Sequence, residues 1–349
     1  VDIDKDNLPN IIDGNVPKNY ELCKEGDIVF ADASEDTNEV AKAVEYYNLN
    51  GKKVVCGLHT IHGRDNKNKT VVGYKGYAFS SMSFHHQIRR IAQGTKIYSI
   101  NSKNFSECYV GIPSKDEQQK IADLLRLIDE RIATQNKIIE DLKKLKSAII
   151  ENVFDDKHSE RLQLDNVGSY IRGLTYSSND VVEHGGTLVM RSNNIVNGSL
   201  LDYNNNVVFV NKQMSAEQQL QNGDVVICMA NGSSSLVGKS SFYDGSCHSP
   251  ITVGAFCGIY RSKEPIVKWL FQTNKYRRYI WNSLQGGNGA IANLNGEDIL
   301  HMSFSIPNAT IKDTCVKMLT SVDSALENNM SLCALYTLQK QHLLRLMFI

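Results

Sequence analysis

The segment Ile112-Pro-Ser-Lys-Asp-Glu-Gln-Gln-Lys-Ile121 opens a long helical pattern that runs to Phe154. A second helical pattern opens at Ile306-Pro307, about 194 residues further along the chain, and runs to Phe348. Self-similarity at such a period indicates two copies of one unit, each a globular part followed by a long helix. A chain with an internal pseudo-two-fold repeat is expected to engage something that also has two halves.

Each long helix carries a row of residues at alternating intervals of four and three, and most of them are apolar. In the first helix this row is Ile121, Leu125, Ile128, Ile132, Gln135, Ile139, Leu142, Lys146, Ile149 and Val153. In the second helix it is Cys315, Leu319, Val322, Leu326, Asn329, Cys333, Tyr336, Lys340, Leu343 and Met347. A 3.5-residue repeat over four heptads predicts a coiled-coil seam, and a rise of ~1.5 Å per residue gives helices of about 60 Å.

The polar residues in these rows indicate how the helices pair. Gln135 and Asn329 lie near mid-helix, whereas Lys146 and Lys340 lie near the C-terminal ends. Parallel pairing would put the two lysines against each other in one core layer. Antiparallel pairing separates the lysines and lets the two amides form a hydrogen bond, so we predict antiparallel helices whose register is fixed by the amide pair.

The composition excludes several classes of protein. The 349 residues include 38 basic and 38 acidic residues, so bulk positive charge does not hold this chain on nucleic acid, although local basic patches remain possible. No apolar run approaches the length of a membrane span, and the N-terminus is no signal peptide, so we expect a cytoplasmic protein. The eight cysteines form no Cys-x-x-Cys pair, which favours reduced thiols without a metal site.

The two globular blocks have the mixed pattern of an α+β protein. Their apolar, β-branched runs predict strands, and two longer patterns predict helices. The predicted strands are 26–31, 53–57, 70–74, 96–100, 187–190, 207–210, 224–228 and 255–260, and the predicted helices are 84–93 and 265–283. Loops are predicted at 204–206, 231–235 and 286–289.

The repeat extends, more loosely, into the globular blocks. Leu22-Cys-Lys-Glu-Gly-Asp-Ile-Val-Phe30 resembles Leu220-Gln-Asn-Gly-Asp-Val-Val-Ile227. If Gly26 is aligned with Gly223, Val1 falls opposite Gly198, and the first copy lacks a counterpart of residues 162–197. We therefore expect an N-terminally incomplete first domain.

Motifs for catalysis are missing from the sequence, whereas polar loops after strands favour binding. There is no phosphate loop, nucleophile elbow or zinc-protease motif. Arg191-Ser-Asn-Asn194 and Asn231-Gly-Ser-Ser-Ser235 follow predicted strands, and Arg and Asn are side chains that hydrogen-bond guanine and adenine edges. The alternative is ordinary use of these residue types in turns. Basic groups at 89–96, 261–263 and 275–278 are either phosphate contacts or solvated helix faces, and the histidines 59, 62, 85 and 86 favour ordinary surface or core positions over metal binding.

At this point the residues resemble a known family, the specificity subunits of type I restriction-modification systems. The resemblance rests on Glu117-Gln118 after Ile112-Pro113, on Leu127-Ile-Asp-Glu-Arg-Ile132 and on Leu142-Lys-Lys-Leu-Lys146. The loop-and-strand pattern, with Gly94-Thr95 near the end of the first block, is similar to that family's target recognition domains. The resemblance covers essentially the whole chain, although the second helix opening at 308–312 departs from the Glu-Gln motif.

The resemblance implies a fold and a function. The fold would be two mixed α/β target recognition domains, 1–111 and 155–305, joined by two long antiparallel coiled-coil helices, 112–154 and 306–349, in a pseudo-two-fold repeat. The chain would perform no chemistry but would read a split target in double-stranded DNA. Modification subunits would methylate adenine with S-adenosylmethionine, and restriction subunits would use ATP and Mg²⁺ for translocation and cleavage.

Two groups of residues are the predicted functional ones. For DNA contact they are His59, Arg64, Ser80, Ser81, Arg89, Lys96, Arg191, Asn193, Asn194, Asn231, Ser233 and Lys239. For the coiled coil and partner binding they are Ile121, Leu125, Ile128, Ile132, Gln135, Ile139, Leu142, Leu319, Val322, Leu326 and Asn329. Two alternatives stay open: a silent or stand-alone DNA-binding protein that directs no methylation, and a coiled-coil scaffold for other proteins.

Overall fold

The structure, a computed structural model, describes residues 1–4, 6, 8–11, 20–154, 159–284 and 292–348. The chain packs into two compact units, unit 1 (Val1–Ile138 with Asn329–Ile349) and unit 2 (Ile139–Asn328). Both units mix helices with sheets, which confirms the mixed class expected from the sequence. Within the described residues, no helix combines the length and the apolar character needed to cross a membrane.

Unit 1 is built on a small antiparallel sheet with the strand order β3-β1-β4 and a second, two-stranded sheet of β2 and β5. Its short elements are β1 (Ile28–Ala31), β2 (Ala33–Ser34), β3 (Ala43–Glu45), β4 (Thr60–Gly63), α1 (Tyr74–Ala78), α2 (Met82–Ile91), β5 (Tyr98–Ser99) and α3 (Ser102–Phe105). Helix α2 turns Phe84 and Ile88, spaced four residues apart, toward a core that also holds Phe30.

Unit 2 contains two four-stranded sheets, ordered β14-β9-β10-β8 and β13-β11-β15-β7, and two two-stranded sheets, β12-β16 and β17-β6. Its strands are β6 (Ser159–Gln163), β7 (Gly168–Arg172), β8 (Val181–Val182), β9 (Thr187–Met190), β10 (Val208–Val210), β11 (Val225–Cys228), β12 (Ala230–Asn231), β13 (Ser240–Phe242), β14 (Ile251–Val253), β15 (Cys257–Ser262), β16 (Ala292–Asn293) and β17 (Ser303–Pro307). Its short helices are α5 (Leu164–Val167), α6 (Val267–Leu270), α7 (Asn274–Leu284) and α8 (Gly296–Leu300).

Each unit contains a copy of the same sheet core, and equivalent residues of the two copies differ in number by 197. Strand β1 pairs with β3 and β4 in the register in which β11 pairs with β13 and β15. In both copies a buried aspartate follows a glycine with positive φ, Gly26 (83°) or Gly223 (90°). Glycine occupies this position because an L side chain rarely adopts that conformation. Among the described residues, unit 2 adds to this sheet a fourth strand, β7, for which unit 1 shows no counterpart.

Two helices of 39 residues complete the chain, α4 (Lys115–Val153) and α9 (Ala309–Met347). Ser114 and Glu117 form hydrogen bonds to each other at the start of α4, which satisfies backbone donors there. Gln118 is fully buried and holds this end of the helix to unit 1, since it accepts from the Val71 amide and donates to the carbonyls of Lys69 and Pro113. Glu117 therefore caps α4, and Gln118 docks the helix on the globular part that precedes it.

Within unit 1, the contacting segments of α4 and α9 run in opposite directions. Asn136 contacts Cys333, Asp129 forms an ion pair with Lys340 at 2.6 Å, and Leu125 shares a core cluster with Phe348. Gln135 donates a hydrogen bond to Asn329, as an antiparallel register requires.

Within unit 2, the contacting segments of the same two helices also run antiparallel. Lys146 forms an ion pair with Asp323 at 2.7 Å, and Ile150 lies in one core cluster with Leu319. Trp269 donates its indole N–H to Asp323 at 3.0 Å, so the globular part of this unit also contacts helix α9.

The structure corrects several predicted elements. Residues 70–74 form no strand, because Thr70 and Val71 donate their amides to the side chains of Asp65 and Gln118, and helix α1 begins at Tyr74. Residues 53–57 contribute one isolated bridge, Leu22 with Val55, and no strand. The other differences are smaller. The predicted strand at 96–100 is reduced to Tyr98–Ser99, and the predicted helix at 265–283 is divided into α6 and α7. The predicted loop at 231–235 contains the start of a 3-10 turn, Ser234–Leu236. The predicted loop at 286–289 lies outside the described residues.

Candidate nucleic-acid interface

In unit 2, the loops after β9 and β11 meet at one edge of the sheets. They border a cavity of about 510 Å³ whose walls include Tyr176, Arg191, Ser192, Asn231 and Phe256. The structure thus brings together Arg191 and Asn231, which the sequence placed 40 residues apart. Guanidinium, amide, hydroxyl and aromatic groups in one open cavity form a set suited to base edges, because they offer donors, acceptors and an apolar contact together.

Arg191 is held so that its exposed side chain lies along the cavity. Its amide donates to Asn194 Oδ1 at 2.9 Å, and one guanidinium nitrogen donates to the Asn206 carbonyl at 3.1 Å. Asn231 donates to the Ser192 hydroxyl at 3.3 Å and accepts from the Ser233 amide at 3.0 Å. Among the described residues no ion pair joins Arg191 to a carboxylate, so its charge stays available to a ligand.

Phe256 was not among the contacts predicted from the sequence. In the structure, 66% of this large apolar residue is exposed at the cavity. An aromatic ring left in water beside polar loops is typical of a binding surface. The equivalent residue of unit 1 is His59, which is also exposed and lies 3.7 Å from Asp32. The position of Asn231 is taken in unit 1 by Ser34, so the two units present different side chains from the same places of one sheet core.

A second, larger cleft of about 880 Å³ lies in unit 2 beside α7. It is lined by Ser234, Ser235, Lys239, Arg277 and Trp281 among others, and Trp281 is 63% exposed. A lysine, an arginine and an exposed indole suit a sugar-phosphate backbone, because cations neutralise phosphates and aromatic faces accept bases. Lys239 is the residue here that the sequence predicted as a DNA contact, whereas Trp281 lies in the predicted helix 265–283 and was not predicted as a contact.

Three predicted DNA contacts have internal partners instead. Asn194 is buried, and its amide nitrogen donates to the carbonyls of Asp202 and Asn205. Ser81 is buried at the N-cap of α2, where its hydroxyl accepts from the Phe84 amide. These groups order the loops, and we do not retain them as base contacts.

Arg64 is the third, and it forms a two-pronged ion pair with Asp27. Its Nε and Nη2 atoms lie 2.9 and 2.6 Å from the two carboxylate oxygens. In unit 2, Arg261 repeats this geometry on Asp224 at 2.8 and 2.6 Å. The repetition indicates a structural role at the glycine-aspartate turn, so Arg64 and Arg261 are not retained in the proposed interface.

The pKa of Asp27 shows how strongly this carboxylate is bound. Burial alone would raise it, but hydrogen bonds from Arg64, from the Lys24 amide and from His62 lower it to about 2. Asp27 is therefore charged at neutral pH and bound to groups of its own unit.

The other predicted contacts lie at the surface. Ser80, Arg89 and Lys96 are exposed in unit 1, and Asn193 and Ser233 are exposed in unit 2. Arg89 has one weak partner, Asn38 at 3.4 Å. These five side chains and His59 remain candidates for ligand contact, together with the cavity residues.

The predicted seam residues lie on the less exposed side of the long helices. Leu125, Ile128, Gln135, Leu319 and Leu326 are buried. The remaining predicted positions, Ile121, Ile132, Ile139, Leu142, Val322 and Asn329, are partly buried. In unit 1, other apolar residues on these helices are exposed, and they include Leu124, Leu127, Ile138, Leu332, Leu335 and Leu338. We name this set the outer leucine face.

The sequence matches, over residues 6–144, the family described as the type I restriction modification DNA specificity domain. It is 34% identical over 155 residues to the type I restriction enzyme EcoKI specificity subunit of Escherichia coli (strain K12). It is 33% identical over 153 residues to the StySPI specificity subunit of Salmonella potsdam. Each alignment covers 42% of this chain and 31% of the relative, so the match spans about a third of the length of these proteins.

Solved structures share the fold over most of the chain. The S subunit of a type I restriction-modification system from M. genitalium aligns with a TM-score of 0.60 and 16% identity, covering 92% of this chain and 82% of that one. A chain from a structure described as complex assembly and conformational transition of the type I R-M system aligns with a TM-score of 0.54 and 13% identity, covering 96% and 84%. At these identities the similarity concerns the fold.

Proposed function

We propose that this chain, whose residues 6–144 match the type I restriction modification DNA specificity domain, is the subunit that reads a split DNA target. Residues 1–111 and 155–305 would each recognise one half of that target, and the helices at 112–154 and 306–349 would form the antiparallel spacer. The chain would direct adenine methylation and restriction by partner subunits without chemistry of its own.

One observation carries this proposal beyond the family. The two units have the same sheet core, with matching hydrogen bonds at Asp27 and Asp224, yet they present different side chains at the same edge. His59 occupies the place of Phe256, and Ser34 occupies the place of Asn231. One architecture with two different recognition surfaces suits two half-sites of different sequence.

The spacer proposal is supported by the contacts within each unit. The seam is antiparallel in unit 1 and in unit 2, and the Gln135–Asn329 bond favours one register. Two readers on one side of B-DNA require half-sites about one helical turn apart, roughly 34–36 Å. A pair of 39-residue helices is long enough for such a spacing.

Partner binding is assigned to the outer leucine face. The seam residues are buried or partly buried against this chain itself, so they offer less surface to another subunit than the outer leucine face does. Leu332, Leu335 and Leu338 follow one another at three-residue intervals on α9 and are 43%, 60% and 60% exposed. An apolar strip of this kind on a helix indicates a protein contact, and we assign it to modification subunits, which would bring S-adenosylmethionine. Restriction subunits would bring ATP and Mg²⁺.

The decisive experiment is a single-molecule methylome of a host that carries this gene with its partner genes, compared with the same host lacking this gene alone. We expect one adenine-methylated motif in two parts, with a fixed gap, that depends on the gene. A chain with Arg191→Ala and Asn231→Ala should alter only one half of that motif. If the motif persists without the gene, or if both halves change together, the assignment of one half-site to each unit is wrong.

A further inference from the structure

Three side chains of metal-binding type converge in unit 1. Cys23, Cys56 and His62 place one ligand atom each within 4.8 Å of the others, and theirs is the one group of this kind among the residues that the structure describes. The two sulfur atoms are 3.4 Å apart. Two thiolates that share a tetrahedral zinc ion at ~2.3 Å stand about 3.8 Å apart, so a small side-chain adjustment fits them to one ion.

The backbone holds the three residues in place. The Cys23 amide donates to the Val54 carbonyl at 2.9 Å, and Leu22 forms a bridge with Val55, which sets the two cysteines side by side. His62 is fixed on β4 opposite Val29 of β1. The ligands therefore come from a paired framework and not from a loose loop.

His62 has the hydrogen bond that metal-binding histidines usually have. Its Nε2 lies 2.9 Å from Asp27 Oδ2, and this carboxylate is itself fixed by Arg64. A histidine that donates one ring N–H to a carboxylate presents its other nitrogen to a metal. The Nδ1 atom is the one left for an ion, and the nearest carboxylate oxygen to it is Glu21 Oε2 at 3.8 Å.

Unit 2 shows what this part of the fold contains when no ligand is needed. At the offset of 197 residues, Cys23 corresponds to Leu220, Cys56 to Val253 and His62 to Ile259. These three residues are buried together in one hydrophobic cluster. The Leu220 amide donates to the Ile251 carbonyl at 2.9 Å, the same bond that Cys23 makes to Val54. The fold thus accepts plain aliphatic packing here, and unit 1 replaces all three members of it with potential ligands at once.

We propose that Cys23, Cys56 and His62 bind one zinc ion, with Glu21 or a water molecule in the fourth position. Two thiolates and one neutral imidazole balance the charge of Zn²⁺ and give the N/S ligand set that zinc prefers. The ion would link the segment at Cys23 to the strand at His62 and so stabilise the glycine-aspartate turn that lies between them in the chain.

The test uses the full chain and zinc chloride. Protein stripped with a chelator is incubated with zinc, freed of unbound metal, and its zinc content is measured by mass spectrometry. The matched variant is Cys23→Leu/Cys56→Val/His62→Ile, which carries the residues of unit 2. We expect about one zinc per wild-type chain and none in the variant, with a far-UV circular dichroism spectrum like that of the wild type. The single variant Cys56→Val should weaken binding at least tenfold, and Cys108→Ala should bind as the wild type does.

Cobalt provides a second readout of the same ligands. Wild-type protein loaded with Co²⁺ should show a thiolate-to-cobalt charge-transfer band that Cys56→Val lacks. Zinc retention that is equal in wild type and triple variant would overturn the proposal. So would purified wild-type protein that binds no zinc and has a mass two hydrogens lower, because Cys23 and Cys56 would then form a disulfide.

Discussion

The buried ion pair of unit 2 leads to a prediction whose control is built into the repeat. Lys146 and Asp323 have side chains that are 8% and 6% exposed and lie 2.7 Å apart. Asp323 also accepts the Trp269 indole N–H at 3.0 Å, and Lys146 donates to the Gly198 carbonyl at 2.6 Å. The corresponding pair of unit 1, Lys340 with Asp129, lies 2.6 Å apart, but its side chains are 28% and 38% exposed.

The expected cost of removing the aspartate charge differs between the two pairs. In Asp323→Asn, Lys146 loses the carboxylate with which it is ion-paired among the described residues and is left as a buried cation, which costs about 3–5 kcal/mol. In Asp129→Asn, water reaches Lys340, and the loss should be roughly 0.2–1 kcal/mol. Burial already lowers the pKa of Lys146, even against the opposing attraction of Asp323. In the Asp323→Asn variant the free energy of unfolding should therefore rise with pH toward 10, since the unfolded chain binds a lysine proton that the folded chain resists.

Urea unfolding followed by tryptophan fluorescence measures the first variant. The chain has two tryptophans, Trp269 and Trp281, and both belong to unit 2, so the signal reports on that unit. Far-UV circular dichroism measures Asp129→Asn. Equal losses in the two variants, or a loss below about 1 kcal/mol in Asp323→Asn without recovery at high pH, would refute the reasoning. Such a result would mean that Lys146 reaches water and that the pair contributes little to the fold.

Three further predictions concern acid stability, recognition and assembly. Because the pKa of Asp27 is lowered to about 2 from an ordinary 3.8, its contribution to stability is present above pH 4 and is lost as the pH falls toward 2. A series of urea titrations should therefore show that Asp27→Asn reduces the acid-induced fall in the free energy of unfolding over that window by roughly 2 kcal/mol. Arg191→Ala should weaken binding to the cognate target by roughly 1–3 kcal/mol in a competition assay and relax one half-site, if Arg191 reads guanine; an equal loss on every sequence would identify a phosphate contact. Leu335→Asp should abolish co-purification with modification subunits without shifting the urea midpoint. Ile128→Asp, at a buried seam position, should lower the midpoint as well. Assembly that survives Leu335→Asp would remove the outer leucine face from the interface.

The long helices were predictable because their signal is local and repeated. A heptad row depends on residues three and four apart, so Leu125, Ile128 and Leu319 could be assigned to a buried side without knowledge of their partners. The polar breaks added the register, since Gln135 and Asn329 have one favourable arrangement. Strands 187–190 and 224–228 were also predictable, because they are fully buried β-branched runs.

The segment at Thr70 and Val71 was not predictable, because its hydrogen bonds are made to distant side chains. Val71 looks like a strand residue, yet its amide is bound by Gln118, 47 residues further along the chain. A β-branched run predicts a strand only when a neighbouring strand supplies carbonyls, and here the acceptor is a buried amide side chain at the start of a helix. Tertiary contacts of this kind leave no trace in the local pattern.

For the candidate site, the internal repeat contained a signal that single positions did not. Arg64 and Arg191 were both predicted as DNA contacts, but Arg64 is engaged by Asp27. The spacing from Asp27 to Arg64 recurs from Asp224 to Arg261, and a charged pair kept in both copies indicates a structural bond.

The same comparison separates the roles of the remaining residues. Positions that are identical in the two copies, such as the glycine and aspartate of the turn, maintain the shared sheet core. Positions that differ while the backbone bonds stay the same are free to specialise: His59 against Phe256 at the exposed edge, and Cys23 against Leu220 inside the unit. Exposure then decides between the two kinds of specialisation, because an exposed difference changes what the surface can bind, whereas a buried difference must be satisfied within the fold. By this reasoning a change at Phe256 should alter recognition and spare stability, and a change at Cys23 should do the reverse.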